Sequence, residues 1–157
     1  MIYELIAVAL SCLIMSLYLT AYILHWGIPC SISDTYYQTV RKWLFPVCTA
    51  TSGALALVPL LNITPERYQF VAFLIVASIL FVAAAPAFKE ELTHYVHYGA
   101  ASVLGLTATA WLILTTGVPY IAIAGAVIAV FDRRHLLFWI EVGLLYNLYV
   151  SLIGILS

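Results

Sequence analysis

Apolar and polar stretches alternate along the chain on a length scale that matches a lipid bilayer. A hydrocarbon core about 30 Å thick is crossed by a helix of about 20 predominantly apolar residues. Six segments approach or reach this length, and we predict a transmembrane helix in each: 4–26, 42–61, 68–87, 95–115, 118–132 and 136–156. The predicted fold is therefore all-α, a single polytopic helical bundle over residues 1–157.

Short connections separate these segments. Four of them combine charged residues with turn formers: 29–42 (PCSISDTYYQTVRK), 62–68 (NITPERY), 87–94 (AFKEELTH) and 131–135 (FDRRH). The remaining one, TTGVPY at 115–120, has no charge, and its glycine and proline are typical of one helix ending and the next beginning. Because the segment after it spans only 118–132, a single bent segment is the alternative, which gives five spans.

Composition agrees with this pattern and excludes several classes of protein. The 157 residues are 65% hydrophobic and 8% charged, with a mean hydropathy of +1.08, whereas soluble domains carry about 25% charged residues. This composition predicts an integral, multi-pass membrane protein. The net charge of −1 offers no basic surface for nucleic acid. Three cysteines without C-x-x-C spacing predict neither a disulfide framework nor a cysteine zinc site.

Most of the ionisable residues are predicted to share one face of the membrane. With six spans, the first, third and fifth connections lie together, and five of the six Lys and Arg residues fall there. All four histidines belong to the same face or to the helix ends beside it. Because positive charge favours the cytoplasmic side, these three connections are predicted to be cytoplasmic and both termini to lie outside.

Two histidines near the start of the fourth segment raise the possibility of a metal site. In EELTHYVHYGAA, residues 90–101, His94 and His97 are three positions apart and stack on one helix face. A zinc ion held by His94, His97 and His135 would activate water against a lipid ester or amide. Asp34 or Glu141 would then act as the catalytic base. The alternative is that these histidines bond only water or lipid headgroups.

Glu141 and the first connection each have a structural and a functional interpretation. Glu141 lies inside the sixth segment, where a carboxylate costs about 2.5–3.5 kcal/mol and usually faces the bundle interior or a wet cavity. It could instead reach the nearby interface. In the first connection, Ser33 or Asp34 either caps a short interfacial helix running toward Trp43, or dips with Ser31 into the mouth of the bundle to meet the histidines.

The residues also resemble a known family. SISDTYY after the first segment, HYVHYGAA opening the fourth, and Glu141 early in the sixth resemble the six-helix Frag–DRAM–Sfk group and its uncharacterised bacterial relatives. The resemblance implies a polytopic protein linked to lipid handling, and it singles out Ser31, Ser33, Asp34 and His94. Animal members of the group are drawn with a cytosolic N-terminus, opposite to the charge bias here.

A more distant similarity is to the ceramidase and progestin-receptor-like hydrolases, which use Ser, Asp and three His around zinc. This chain has those residue types, but it lacks the early Ser-x-x-x-His and late His-x-x-x-His pairs of that superfamily in their usual order. The similarity therefore rests on residue types alone.

We conclude that the leading hypothesis is a pocket at one membrane interface that binds a membrane lipid or another amphipathic molecule. Its predicted ligand-binding residues are Ser31, Ser33, Asp34, His94, His97 and Glu141. Three rivals remain: the zinc-dependent hydrolase, a proton-coupled transporter that uses Glu141 and the histidines as a relay, and a structural subunit that docks a membrane partner protein or a second copy.

Overall fold

The computed structural model describes the backbone of residues 1–84 and 90–157, and the side chains of residues 1–84 and 95–157. Over this part of the chain the secondary structure is helical, with no strand, and the prediction of an all-α membrane bundle is confirmed. The helices are α1 (Ile2–Trp26), α2 (Thr35–Gln38), α3 (Leu44–Ile63), α4 (Gln69–Ala84), α5 (Glu90–Thr115), α6 (Tyr120–Phe131) and α7 (Leu136–Leu156), with 3₁₀ turns at Glu66–Tyr68 and Arg133–His135.

Five of these helices are long and apolar enough to cross a membrane: α1, α3, α5, α7, and α4 together with the 3₁₀ turn before it. The chain is therefore an integral multi-pass membrane protein. The sixth apolar helix, α6, has 12 residues, which gives it a length of about 18 Å against a bilayer core of about 30 Å.

The link between α5 and α7 nevertheless runs the length of the bundle. The beginnings of α5 and α7 lie at the same end, because His97 and Glu141 both contact the connection between α1 and α3. Two helices that start at the same end run parallel, so residues 116–135 must bring the chain back from the far end. Gly117, at a φ of +88°, ends α5 in a backbone conformation that favours glycine.

The main hydrophobic core lies between α1, α3, α4, α5 and α7. Within this core Trp111 is fully buried, and its indole Nε1 donates a hydrogen bond to Thr64 Oγ1 at 2.7 Å. Three hydroxyls from Ser11, Ser52 and Tyr149 also bond to one another at 2.6 to 3.1 Å. These buried polar groups join α1, α3, α5 and α7 where water is not available as a partner.

α6 packs against α7 through glycine. A Cβ added to Gly125 would stand 2.5 Å from the carbonyl oxygen of Trp139 and 3.0 Å from the Cα of Gly143, so the two backbones touch directly. The first turn of α6 is held by Asn147 of α7, whose Oδ1 accepts the backbone N–H groups of Ile121 and Ala122 at 2.9 and 3.1 Å. These two bonds give partners to two of the backbone N–H groups that the N-terminus of a helix leaves without an acceptor in the same helix.

Candidate functional site

The polar connection between α1 and α3, residues 27–43 and called loop 1 below, is folded against α1. Tyr18 donates its hydroxyl to Thr35 Oγ1 and Tyr22 donates to Gln38 Oε1, each at 2.6 Å. α2 has only four residues and ends at Gln38, so it does not continue toward Trp43. Much of the polarity of loop 1 is therefore used to fix the loop over the end of the bundle.

Loop 1 also contacts the beginnings of α5 and α7. The backbone N–H of Ile32 donates to Glu141 Oε2 at 2.6 Å, and Ser33 Oγ lies 2.9 Å from His97 Nε2. Cys30 contributes its carbonyl oxygen, which accepts the N–H of Phe138 at 3.1 Å. These contacts join residues as much as 109 positions apart in the chain. They bring the regions around residues 33, 97 and 141 together at one end of the bundle, called the loop 1 end below.

A cavity of about 150 Å³ runs inward from this end between α1, α3, α4, α5 and α7. Ser33, His97 and Glu141 line it where loop 1 meets α5 and α7. The remaining wall is largely apolar or small, with Met15, Leu60, Ile75, Ala101, Gly105 and Leu148 among its members. The His97 imidazole and the Glu141 carboxyl group therefore both lie at one end of the cavity, and the rest of its wall is mostly apolar.

Three more hydroxyl-bearing residues line the cavity, and their hydroxyl groups differ in their hydrogen-bond partners. Ser52 and Tyr149 bond to each other at 2.6 Å. The hydroxyl of Thr49, a residue with 9% of its surface exposed, has no hydrogen-bond partner among the described residues. Thr49 and Ser52 were not among the predicted site residues; their spacing of three positions on α3 is the sequence signal that puts both on one helix face.

The other predicted residues of loop 1 have different neighbours. Asp34 Oδ2 accepts a hydrogen bond from Gln38 Nε2 at 2.6 Å, within loop 1 itself, and Asp34 is not among the residues that line the cavity. Ser31 Oγ accepts the backbone N–H of Asp34 and lies 3.1 Å from Ser33 Oγ. Ser31 is therefore a neighbour of the polar end of the cavity, while Asp34 shapes the loop.

His135, predicted as a zinc ligand, lies in the turn between α6 and α7. Its Nδ1 is 2.9 Å from a carboxylate oxygen of Asp132, to which Trp139 Nε1 also donates. These bonds, from Trp139 first and then from His135, hold the pKa of the Asp132 carboxyl group below its usual value. His135 thus has its own acidic partner in the turn.

The zinc hypothesis is not supported by a ligand cluster in the part of the chain whose side chains are described. Within residues 1–84 and 95–157, no three His, Cys, Asp or Glu side chains are placed to hold a metal ion. The side chain of His94 lies outside the described residues, as do those of Glu90 and Glu91. A site formed by His94, His97 and His135 therefore remains a prediction.

The fold defines a class of protein: a small polytopic α-helical membrane protein. Searches against protein-family models, curated proteins and solved structures give no match to the chain. The resemblance to the Frag–DRAM–Sfk group consequently remains a prediction, and the function has to be argued from the cavity.

Proposed function

We propose that the protein binds an amphipathic molecule of the membrane, with an apolar part inside the cavity and a polar group beside Ser33, His97 and Glu141. The observation that supports this most strongly is the asymmetry of the cavity. Its carboxyl and imidazole groups lie at one end, and hydrocarbon forms most of the remaining wall. A site with these two environments is complementary to a molecule with a polar head and an apolar tail.

The size of the cavity limits what enters it. Engineered protein cavities of about 150 Å³ bind a molecule the size of benzene, so the volume here suits a short apolar group or one stretch of a longer chain. Moving a hydrocarbon chain from lipid into this cavity gains little, because lipid is as apolar as the cavity wall. The contacts of the polar head at Ser33, His97 and Glu141 therefore decide affinity and selectivity.

The charge bias of the connections predicts that the loop 1 end lies on the cytoplasmic side. In this arrangement the head group of the ligand meets the protein at the inner leaflet. The hydrolase, transporter and docking-subunit hypotheses stay predictions, since each needs a property in addition to the cavity.

Filling the cavity from α5 tests the proposal. Gly105 lines the cavity and a Cβ placed there meets no atom within 4 Å, so the Gly105→Leu variant projects a side chain into empty space. Gly99, on the same helix, is exposed, does not line the cavity, and has equally open surroundings. The Gly99→Leu variant is therefore a matched control with the same gain in helix propensity.

The measurement is photolabelling in lipid nanodiscs with a long-chain alcohol that carries a diazirine, followed by mapping of the labelled peptides. We expect the wild type and Gly99→Leu to be labelled on the cavity-lining face of α5, and Gly105→Leu to lose that labelling. Labelling of the exposed outer face of α6 should be equal in all three proteins. If the cavity face is labelled no more than that outer face in the wild type, or equally in Gly105→Leu, the proposed function is wrong.

A further inference from the structure

We propose that the cavity selects amphiphiles whose head group is a cationic amine over those with an anionic head group. This inference rests on the proposed function and names the ligand class for the same cavity. It follows from the polar groups that face the cavity at the loop 1 end and from the position of the basic residues near that end.

Glu141 has hydrogen-bonding capacity left over. A carboxylate accepts about four hydrogen bonds, and Glu141 receives one from the N–H of Ile32. The ion pairs in the described part of the chain join Met1 to Glu4 and His135 to Asp132, so no described basic side chain pairs with Glu141. A carboxylate within a membrane span needs a counter-charge or further donors, and an ammonium head group supplies both.

Thr49 adds a second acceptor at a similar depth. Thr49 is five residues from the beginning of α3 and Glu141 is five residues from the beginning of α7, and both helices begin at the loop 1 end. At 1.5 Å per residue, each lies about 7.5 Å along its helix. Thr49 is one of the residues that line the cavity, and its hydroxyl oxygen is buried with no partner among the described residues. An amine carries two or three N–H donors, so the Thr49 hydroxyl is a candidate second acceptor beside Glu141.

Among the residues whose side chains are described, the Lys and Arg residues near this end do not provide a site for an anion. Arg41, Lys42, Arg133 and Arg134 are exposed, and none of them lines the cavity. Lys42 instead stands 5.7 Å from the centre of the Tyr36 ring in loop 1. An anionic head group would meet the Glu141 carboxylate, and like charges brought together in a poorly solvated site repel each other.

Three probes with one diazirine-bearing chain and different heads test this selectivity: a primary amine, an alcohol and a carboxylate. In each nanodisc sample, labelling of the cavity face of α5 is divided by labelling of the outer face of α6. This ratio corrects for the different partitioning of the three probes into the bilayer. A charged hydrogen bond contributes about 1.5–3 kcal/mol, so we expect the ratio for the amine to exceed that for the carboxylate by at least about tenfold.

The Glu141→Gln variant keeps the shape of the side chain and removes its charge. We expect it to remove the preference, so that the ratio for the amine falls to the ratio for the alcohol measured in the same variant. A carboxylate probe that labels the cavity as well as the amine does in the wild type would overturn the selectivity, and so would an amine preference that survives in Glu141→Gln. Both results leave the cavity itself intact, whereas absence of cavity labelling by all three probes is a failure of the proposed function.

Discussion

Replacing Asn147 with leucine should detach the first turn of α6 from α7. The Asn147 amide oxygen accepts the backbone N–H groups of Ile121 and Ala122 at 2.9 and 3.1 Å. Leucine has a similar volume but no acceptor. Both N–H groups lie at the beginning of a helix, where no carbonyl of the same helix is available to them.

The magnitude follows from the number of bonds lost. Each buried donor left without a partner costs about 1–3 kcal/mol, so two donors cost about 2–6 kcal/mol. The Ser151→Ala variant is a matched control on the same helix. Ser151 accepts a longer bond of 3.3 Å from the Asn147 amide nitrogen, and its loss should cost no more than about 1 kcal/mol.

Hydrogen–deuterium exchange of the purified protein, read by mass spectrometry, separates local from global effects. A loss of 2 kcal/mol corresponds to about thirtyfold faster exchange, and we expect this in peptides that cover α6, with peptides from α3 unchanged. Ser151→Ala should leave α6 close to wild type. If α6 exchanges at the same rate in Asn147→Leu and Ser151→Ala, the Asn147 cap does not hold α6 in place.

Two further predictions concern packing and orientation. Gly125→Ala should destabilise the protein by about 1–3 kcal/mol by overpacking, because the added Cβ meets backbone atoms of Trp139 and Gly143 at 2.5 and 3.0 Å. Gly154→Ala is the control and should not destabilise it, since a Cβ at Gly154 has nothing within 4 Å. Thermal unfolding in one detergent compares the two variants, and an equal melting temperature would contradict the close α6–α7 contact. Cys30 is exposed in loop 1, and the charge bias predicts that a membrane-impermeant maleimide labels it in inverted vesicles but not in intact cells. The Cys30→Ser variant is the control for labelling of the other cysteines. Labelling of Cys30 in intact cells would show that the orientation is opposite to the predicted one.

The sequence by itself determined the class of protein, an all-helical membrane bundle. An apolar stretch of about 20 residues lies in the bilayer core, where the backbone has no water to bond with. A helix solves this because its N–H and C=O groups bond to one another within the segment. The break at Gly117 and Pro119 likewise follows from local backbone chemistry. For Glu141 the sequence left two directions open, the bundle interior and the nearby interface, and the structure places it in the cavity lining.

Only the tertiary structure decided which polar groups share a site. Ser33 meets His97 across 64 positions and Ile32 meets Glu141 across 109, while Asp34, the next residue in loop 1, bonds to Gln38 instead. It also showed that α6 is a short helix held by Asn147. Local patterns specify which face of a helix is apolar, but the partners of that face depend on how several helices pack together. Residues distant in the chain therefore acquire their chemistry only when the bundle is assembled.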